Sequence, residues 1–500
     1  MSQLLVQLSE FNSKINTFIW DKLGLVLLIF TGLLFTIGTN FFQIRYFFHW
    51  IKKPFEGVFR PKKKESSGTI TQMQALCTSL ASTIGVGSIV GVSAAIKTGG
   101  CGAVFWMWVA AFFSMMTAYA ENVLGIYFRE KNKKGIWQGG CMYILEKSIG
   151  GKKPFKMLSK VLGISFCIFC VFASFGIGNL GQVNKITENI IYAFPLPCVS
   201  SFLVAGIPLY NLIIAFCLTL ICGFVILGGL KRIASLAEKI IPFMVVFFVL
   251  GSTSVIFVHR ENIVEAFKHI FTEAFSFKAA TGAVSGLTLK TIITTGFKRG
   301  LFSTEAGMGS TVLINISSDV KEPVVQGMWG IFQVFVDTFL ICTMTALVIL
   351  TSKVPLTLAD SVMVTEAFGS VFAGFGNKFV AISIFMFAFT SIIGWSQYAV
   401  SALSYLNLPY AEKIYKLAFI SVIPLGTVIN SELTWSICDT FNGLMMLPNL
   451  TAILFLFPLV IKISRNYTDR TFKNKKITPL LSFDRHIQLK HQMALKRENK

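Results

Sequence analysis

The sequence predicts an all-α membrane protein of about eleven transmembrane helices. Hydrophobic residues make up 54% of the 500 positions, and the mean hydropathy is +0.67. Only 14% of the residues are charged, against about a quarter in ordinary soluble domains. A soluble domain cannot bury this much apolar surface, whereas a helix bundle in a lipid bilayer exposes it to lipid. The bilayer is therefore the first predicted partner of the chain.

Apolar runs of about 20 residues, the length that crosses a bilayer core, recur along the chain. The predicted spans cover residues 22–44, 70–97, 101–128, 162–192, 205–229, 236–258, 282–315, 325–351, 375–404, 411–430 and 437–462. The seventh span is the least regular, because it is rich in glycine, threonine and serine and also contains charged residues.

The net charge of +21 comes mainly from the segments between these spans. Seven basic residues lie between Arg45 and Lys64, and nine lie between Arg129 and Lys160. Under the positive-inside rule these odd-numbered loops face the cytoplasm. We therefore expect a multi-pass cell-membrane protein with its N-terminus outside and its C-terminus in the cytoplasm. Nucleic-acid binding is disfavoured, because it needs a basic patch on a soluble surface.

The chain divides into three predicted regions. Apolar residues recur at helical spacing over residues 1–20, which indicates an amphipathic helix on the membrane surface. The transmembrane domain follows over residues 21–463. Residues 464–500 are polar and basic, and we expect a solvated or surface-associated cytoplasmic tail.

The second span contains three glycines within seven residues, Gly85, Gly87 and Gly91. Glycine weakens a helix by up to about 1 kcal/mol. A helix that breaks inside a membrane leaves free N–H groups, which suit a carboxylate, and free C=O groups, which suit a cation. The alternative explanation is close helix packing through small residues.

The seventh span offers a second glycine-rich interruption, which we place at residues 282–290. It lies five spans after the first, as an inverted repeat of five plus five helices with one extra N-terminal helix requires. Two interrupted spans in matching positions are the strongest sequence indication of a binding site at the middle of the bilayer.

Other spans carry polar groups that could face such a site. Gln182 in the fourth span has both a donor and an acceptor, although such a side chain often only links helices. Thr390 and Ser391 in the ninth span offer hard oxygen ligands for an alkali cation, unless they bond to their own helix. Trp395 could form the wall of a small pocket.

Few ionisable residues lie within the spans, and those that do are costly in lipid and indicate function. Glu121, Glu305 and Asp337 occupy the third, seventh and eighth spans. We expect Glu305 to pair with Arg299 or Arg232 as an inner gate. The histidines lie at or beyond the edges of spans, and no metal site is predicted beyond a transported cation.

Together these segments resemble the alanine/glycine:cation symporter family, also called the sodium:alanine symporters. The resemblance runs from about Gly38 to Val460. Its marks are Gly38-Thr39-Asn40, Ala103-Val104-Phe105-Trp106-Met107-Trp108, Gly139-Gly140-x-Met142-Tyr143, Gly178-Asn179-x-x-Gln182-x-Asn184, Arg299-Gly300-Leu301-Phe302-Ser303-x-Glu305-Ala306-Gly307-x-Gly309-Ser310, Asp337-Thr338, Cys342-Thr343-x-Thr345 and Phe387-Ala388-Phe389-Thr390-Ser391-Ile392-x-Gly394-Trp395.

The resemblance implies a LeuT-like fold and secondary transport of alanine or glycine into the cell, driven by sodium as the coupling ion and without a cofactor. By position, the substrate-binding residues would be Val86, Gly87, Gln182, Val284, Thr288 and Trp395. By position, the cation-binding residues would be Thr83, Gly85, Thr390 and Ser391.

Some positions depart from the family pattern. The family usually has Gly-Thr-Gly-Asn where this chain has Gly85-Val86-Gly87-Ser88, and Gly-Phe-Ala-Gly where it has Ala283-Val284-Ser285-Gly286. Valine in place of phenylalanine would enlarge the pocket, so a cargo larger than alanine is one alternative. Proton coupling on the same fold is another.

Two further classes of protein fit the sequence less well. A membrane-embedded enzyme would need a cluster of histidines or carboxylates at an interface, and the five histidines are not placed for one. A channel would need a ring of filter carbonyls or charges, usually from an oligomer. We therefore expect a carrier, and the sequence does not indicate its oligomeric state.

Overall fold

The computed structural model describes residues 2–58, 69–133, 135–151, 153–275, 288–429 and 431–498. The helices of the first half are α1 Ser2–Thr17, α2 Leu25–Gly38, α3 Phe42–Arg45, α4 Phe47–Val58, α5 Gln72–Thr83, α6 Val90–Gly99, α7 Gly102–Phe128, α8 Cys141–Ser148, α9 Lys156–Phe175, α10 Gly181–Ala193, α11 Pro197–Ser201, α12 Leu209–Leu227 and α13 Gly229–Val258. Those of the second half are α14 Ile263–Glu273, α15 Leu289–Thr304, α16 Val312–Asn315, α17 Pro323–Val334, α18 Thr343–Thr351, α19 Asp360–Gly369, α20 Gly376–Tyr405, α21 Ala411–Gly426, α22 Ser431–Phe455, α23 Phe457–Phe472 and α24 Arg485–Glu498.

Shorter elements of other kinds lie between these helices. Within the described residues, three π-helical segments, in which the turns are wider than in an α-helix, cover Phe18–Gly24, Gly176–Leu180 and Phe335–Cys342. Short 3₁₀ turns cover Val86–Ser88, Lys153–Phe155 and Arg260–Asn262. Two small antiparallel hairpins pair β1 Glu130–Lys131 with β2 Trp137–Gln138, and β3 Leu203–Val204 with β4 Ile207–Pro208.

The predicted spans coincide with helices or interrupted helices. Seven helical stretches in the described part of the chain are long and apolar enough to cross a membrane, and a pair bent by 60°, Asp439–Phe455 and Phe457–Phe472, adds an eighth. The remaining predicted spans are the interrupted second and seventh and the short α21. The all-α membrane fold is confirmed, and the count of eleven stays a prediction.

The N-terminal helix runs without interruption into the first span, and its position on the membrane surface stays a prediction. α1 continues through the π-helical segment Phe18–Gly24 into α2, so no break occurs at the predicted boundary near residue 20. Asn12 and Asn16 donate hydrogen bonds to Ser436 and Thr440 of α22. These polar contacts hold α1 against α22.

The C-terminal region packs against the transmembrane helices. α23 extends to Phe472, beyond the predicted boundary at residue 463, and the chain then packs back onto the protein. The Phe483 N–H donates to the Tyr127 carbonyl at the end of α7, at 2.8 Å. Arg470 Nη2 lies 2.7 Å from Glu322 Oε1, directly before α17. These contacts dock the tail at the end of α7 and the start of α17, and its cytoplasmic location stays a prediction.

The second and seventh spans pack against each other in reversed order. α6, the later half of the second span, contacts α15, the earlier half of the seventh; α5 in turn contacts α16. Two interrupted helices that meet in this order run antiparallel, as an inverted repeat predicts. α7 packs along α15, and α20 packs against α5. The site therefore lies between these four spans.

Candidate functional site

The second span breaks where the sequence predicted. α5 ends at Thr83, Gly85 is extended with φ −115° and ψ −157°, and α6 begins only at Val90. Ile84, Val86 and Ile89 are 0–2% exposed, so the peptide groups of the break are shielded by the surrounding bundle. Peptide dipoles freed from a helix in such a place can bind a polar ligand.

The close approach of α20 to the first break requires a glycine at position 85. The Ser391 hydroxyl donates to the Ser82 carbonyl at 3.0 Å. A Cβ atom at Gly85 would lie 2.6 Å from Ser391 Oγ, closer than atoms in proteins approach. The structure thus brings together Gly85 and Ser391, two of the predicted cation-binding residues.

The two threonines predicted to bind the cation are engaged elsewhere. Thr390 Oγ1 donates to carbonyls of its own helix, at Met386 and Phe387, both at 3.0 Å. Thr83 Oγ1 donates to the Ser79 carbonyl at 3.2 Å and accepts from Gln333 Nε2 at 3.4 Å. Hydroxyls on a helix commonly bond back to the preceding turn, and both threonines do so here.

Gln182 lies directly beside the first break. Its Oε1 accepts from the Val86 N–H at 3.3 Å, and its Nε2 donates to the Ile177 carbonyl at 3.0 Å. The π-helical segment Gly176–Leu180 precedes it and shifts the phase of the following helix. Gly87, also in the break, has the Phe302 ring as its nearest neighbour, 3.9 Å from where a Cβ would be.

Trp395 packs against the same π-helical segment. It is 1% exposed, and a Cβ at Gly178 would lie 2.4 Å from the Trp395 Cβ. Its ring packs edge-on against the Tyr398 ring, with 5.2 Å between the ring centroids, and its side chain interacts with Glu305. Trp395 therefore joins the fourth span to the seventh.

Residues 282–287 of the predicted interruption lie outside the described part of the chain, and the described part contains a break further along the seventh span. Of the predicted interruption at 282–290, residues 289 and 290 belong to α15, and Thr288 caps that helix by accepting from the Thr291 N–H at 3.2 Å. Val284 lies outside the described residues. The break that the structure describes runs from Glu305 to Thr311, where Glu305, Gly307 and Gly309 have φ of 52°, 91° and 74°. Left-handed backbone favours glycine, and glycine density alone did not distinguish Gly307 and Gly309 from Gly282 and Gly286.

A buried carboxylate and an amide hold this second break. Glu121 Oε1 accepts from the Gly309 N–H at 3.0 Å and from Asn449 Nδ2 at 2.5 Å. Asn449 Nδ2 also donates to the Gly307 carbonyl at 3.0 Å. Sequence analysis missed Asn449; an asparagine in the middle of an otherwise apolar span was the available signal.

The predicted gate pairs are not formed in the described part of this structure. Glu305 accepts from Ser310 Oγ at 2.8 Å, and it forms no ion pair with Arg232 or Arg299 in the part of the chain that the structure describes. Arg232 is exposed and donates to the Phe224 carbonyl at 2.6 Å. At the left-handed turn, the Glu305 carboxylate bonds to Ser310 within the break itself.

The two breaks meet at Asp337. Its Oδ1 accepts from Ser88 in the first break at 2.6 Å, and its Oδ2 accepts from Ser303 at the end of α15 at 2.7 Å. The two serine hydroxyls lie 3.2 Å apart. Asp337 was singled out in the sequence as an ionisable residue within a span, but neither serine was assigned to it.

Comparison with known proteins places this arrangement in a family. The profile of the sodium:alanine symporter family matches residues 5–480. The sodium/alanine symporter AgcS of Methanococcus maripaludis is 36% identical over 91% of this chain and 96% of its own length. The amino-acid carrier protein AlsT of Bacillus subtilis is 33% identical over 94% of this chain and 97% of its own length.

A solved structure supports the fold. MhsT, crystallised in complex with L-phenylalanine, aligns with a TM-score of 0.54 at 13% identity, over 80% of this chain and 99% of its own. This likeness extends to the fold, and the sequence relatives define the family. The chain belongs to the sodium:alanine symporter family and has its LeuT-like transporter fold.

Proposed function

We propose that this protein is a secondary transporter that carries a small neutral amino acid, alanine or glycine, into the cell together with sodium. The observation that carries the proposal is the buried break Ile84–Ile89, beside Gln182 and Ser391. The names of the relatives AgcS and AlsT support a sodium-coupled amino-acid cargo.

The substrate would bind through the peptide groups of the first break. Gln182 Oε1 accepts from the Val86 N–H, so a substrate carboxylate could take this N–H if the amide turned towards the ammonium group. We propose Val86, Gly87 and Gln182 as the polar contacts and Trp395 as a wall of the pocket. Thr288 and Val284 complete the proposed set by their position in the family pattern.

The coupling ion would lie between the first break and α20. Ser391 Oγ and the carbonyls around Thr83 and Gly85 are hard oxygen ligands, and Ser391 is one hydrogen bond from that backbone. Thr390 would join them by exchanging its bond to Met386 for the ion. Ion binding would then shape the break that receives the substrate, and this coupling must be reciprocal.

The proposed orientation has the N-terminus outside and the C-terminus in the cytoplasm of a cell membrane, as the distribution of lysine and arginine requires. Rocking of one helix bundle against the other would open each side in turn. No covalent bond changes in this cycle.

Uptake of radiolabelled alanine into proteoliposomes tests the proposal. We expect accumulation under an inward sodium gradient, and none when choline replaces sodium at equal ionic strength. Accumulation driven equally by a proton gradient in choline would contradict sodium coupling. Competition by unlabelled glycine, serine and valine then defines the cargo size; a valine affinity equal to that of alanine would contradict the small-cargo assignment.

A further inference from the structure

We propose that a cavity between the docked C-terminal tail and the transmembrane bundle binds a phosphate-bearing organic anion. Its volume of about 650 Å³ lies within the range of about 300–1,000 Å³ that is typical of small-molecule sites. The lining residues include none of the residues of the two described breaks. The proposal therefore goes beyond the transport function, and its test needs no transported substrate.

The returning tail forms one wall of this cavity, and hydrogen bonds hold the wall in place. Asn466 of α23 donates to the Thr478 carbonyl at 2.9 Å and accepts from the Leu480 N–H at 3.2 Å. Gln488 of α24 accepts from the Leu481 N–H at 2.7 Å. These bonds tie the tail between two helices, so the cavity is part of the folded protein.

The facing wall includes the loop between the seventh and eighth spans. The Asp319 N–H donates to the Ile70 carbonyl, and the Ile70 N–H donates to the Ser317 carbonyl, both at 3.0 Å. Ile70 lies two residues before α5, the first half of the interrupted second span. A ligand in the cavity would thus contact both the tail and a loop that is bonded to the start of that span.

Positive charge exceeds negative charge around the cavity. Among the described residues, the basic side chains that line it are Lys53, Lys321, Arg470, Lys476 and Lys496, and the acidic ones are Glu56, Asp319 and Glu322. Two of the acidic residues already have partners, since Lys53 lies 2.9 Å from Glu56 and Arg470 lies 2.7 Å from Glu322. The surplus therefore falls on the remaining lysines.

Two of these lysines are available to a ligand. In the part of the chain that the structure describes, neither Lys476 nor Lys496 forms an ion pair. Their neighbours differ, because Lys473 and Lys475 both pair with Asp469 at 2.8 Å. Lys476 comes from the tail and Lys496 from α24, so one anion between them would bridge two segments.

The other lining groups indicate the kind of anion. Lysine ammonium groups bind phosphate as point charges, and the hydroxyls of Thr471 and Thr478 add donors to phosphate oxygens. Ile477 and Leu495 also line the cavity, and Ile477 is 41% exposed. Inorganic phosphate would leave these apolar groups uncovered. A phosphate ester with an organic part fits, and a soluble nucleotide and a phospholipid headgroup share this chemistry.

Equilibrium binding of radiolabelled AMP to the purified full-length protein in detergent tests the soluble source. We expect saturable binding of about one AMP per protein, in chloride of constant ionic strength. The double variant Lys476→Gln and Lys496→Gln should bind at least about tenfold more weakly, because it loses both charge-assisted contacts. Competition by inorganic phosphate should be weaker than by unlabelled AMP, and equal competition would overturn the assignment of an organic anion.

The matched control removes the same amount of charge from the same two segments. Lys473→Gln and Lys490→Gln take one lysine from the tail and one from α24, and neither residue lines the cavity. Binding of AMP by this double variant should stay within about twofold of the wild type. Equal losses in the two double variants would show attraction to the net charge alone and would overturn the site.

The lipid source is tested with the same three proteins in nanodiscs. Phosphatidylglycerol mixed with phosphatidylcholine is compared with phosphatidylcholine alone, since a ligand that binds the folded state raises the melting temperature. If the headgroup is the ligand, phosphatidylglycerol raises the melting temperature of the wild type and the control, and by less than half as much in the Lys476 and Lys496 double variant. No saturable AMP binding, together with an equal rise in all three proteins, would overturn the proposal.

Discussion

Gly85 is the residue whose lack of a side chain matters most in the first break. The serine oxygen of α20 occupies the place where a Cβ would project, at 2.6 Å. Because this oxygen is held by its bond to the Ser82 carbonyl, it cannot withdraw without breaking that bond. The glycine thus permits α20 to touch the interrupted backbone.

Replacing Gly85 with alanine should therefore disrupt the site. We expect Gly85→Ala to reduce sodium-driven alanine uptake in proteoliposomes at least tenfold, because α20 must move away from the break. Gly91→Ala is the matched control, since a Cβ there meets nothing within 4 Å in α6. Its uptake should stay within twofold of the wild type. Equal losses in the two variants would contradict the role given to Ser391.

At the second break, Asn449 is the residue whose contacts matter most. Its Nδ2 serves both the Glu121 carboxylate and the Gly307 carbonyl. Asn449→Ala leaves these acceptors buried and unsatisfied, at a cost of about 1–3 kcal/mol. We expect a clear fall in melting temperature. Thr451→Ala on the same helix removes an exposed hydroxyl that bonds to the Leu447 carbonyl, and the melting temperature should change little. A fall equal to that of Asn449→Ala would be evidence against the role given to the Asn449 bonds with Glu121 and Gly307.

At the scale of the elements, glycine content predicted that two spans break but did not locate both breaks. In the second span Gly85 and Gly87 lie in the break itself. In the seventh span four candidate glycines lie along α15 or before it, and the left-handed conformations at Gly307 and Gly309 reveal the break after α15. Composition cannot supply a backbone angle, because tertiary contacts such as that of Glu121 select it.

Hydroxyl side chains show the same limit of prediction from the sequence. Thr390 and Ser391 are neighbours in the sequence, and both were predicted to face the ion. The structure turns Thr390 back to its own helix and directs Ser391 to the break. Adjacent residues on a helix point about 100° apart, so the pair cannot face one partner equally. Sequence alone does not show which of them does.

The docked C-terminal segment supplies a prediction at this scale. Burial raises the pKa of Glu322, and Arg470 beside it opposes that rise. Arg470→Met would leave the carboxylate buried without its partner, at a cost of about 3 kcal/mol. We expect a lower melting temperature, and a larger deficit at pH 8 than at pH 5, because at low pH Glu322 can bind a proton and lose its charge.

Lys473→Met is the control for this pair. Lys473 is 59% exposed and forms an ion pair with Asp469 at the surface, where such pairs contribute at most about 1 kcal/mol. Thermal unfolding at both pH values distinguishes the two variants. If Arg470→Met and Lys473→Met lowered the melting temperature by the same amount, the Arg470–Glu322 pair would hold the tail no more strongly than a surface ion pair does.

For the whole molecule, the membrane class, the family and the first break were predictable, because hydropathy, charge distribution and glycine spacing are properties of short segments. The contacts between distant segments were not. The Asp337–Ser88–Ser303 cluster joins residues up to 249 positions apart, and the tail returns from Phe483 to Tyr127. No local pattern in the sequence encodes these pairings, which depend on how the two repeats pack.

The central claim is that the buried break at Ile84–Ile89 holds an amino acid only together with sodium. Equilibrium binding of radiolabelled alanine to the purified protein tests it most directly. We expect saturable binding in sodium, a loss of at least tenfold in affinity when choline replaces sodium, and no binding in Gly85→Ala. Alanine binding that is equally tight in choline, or that survives in Gly85→Ala, would contradict the claim.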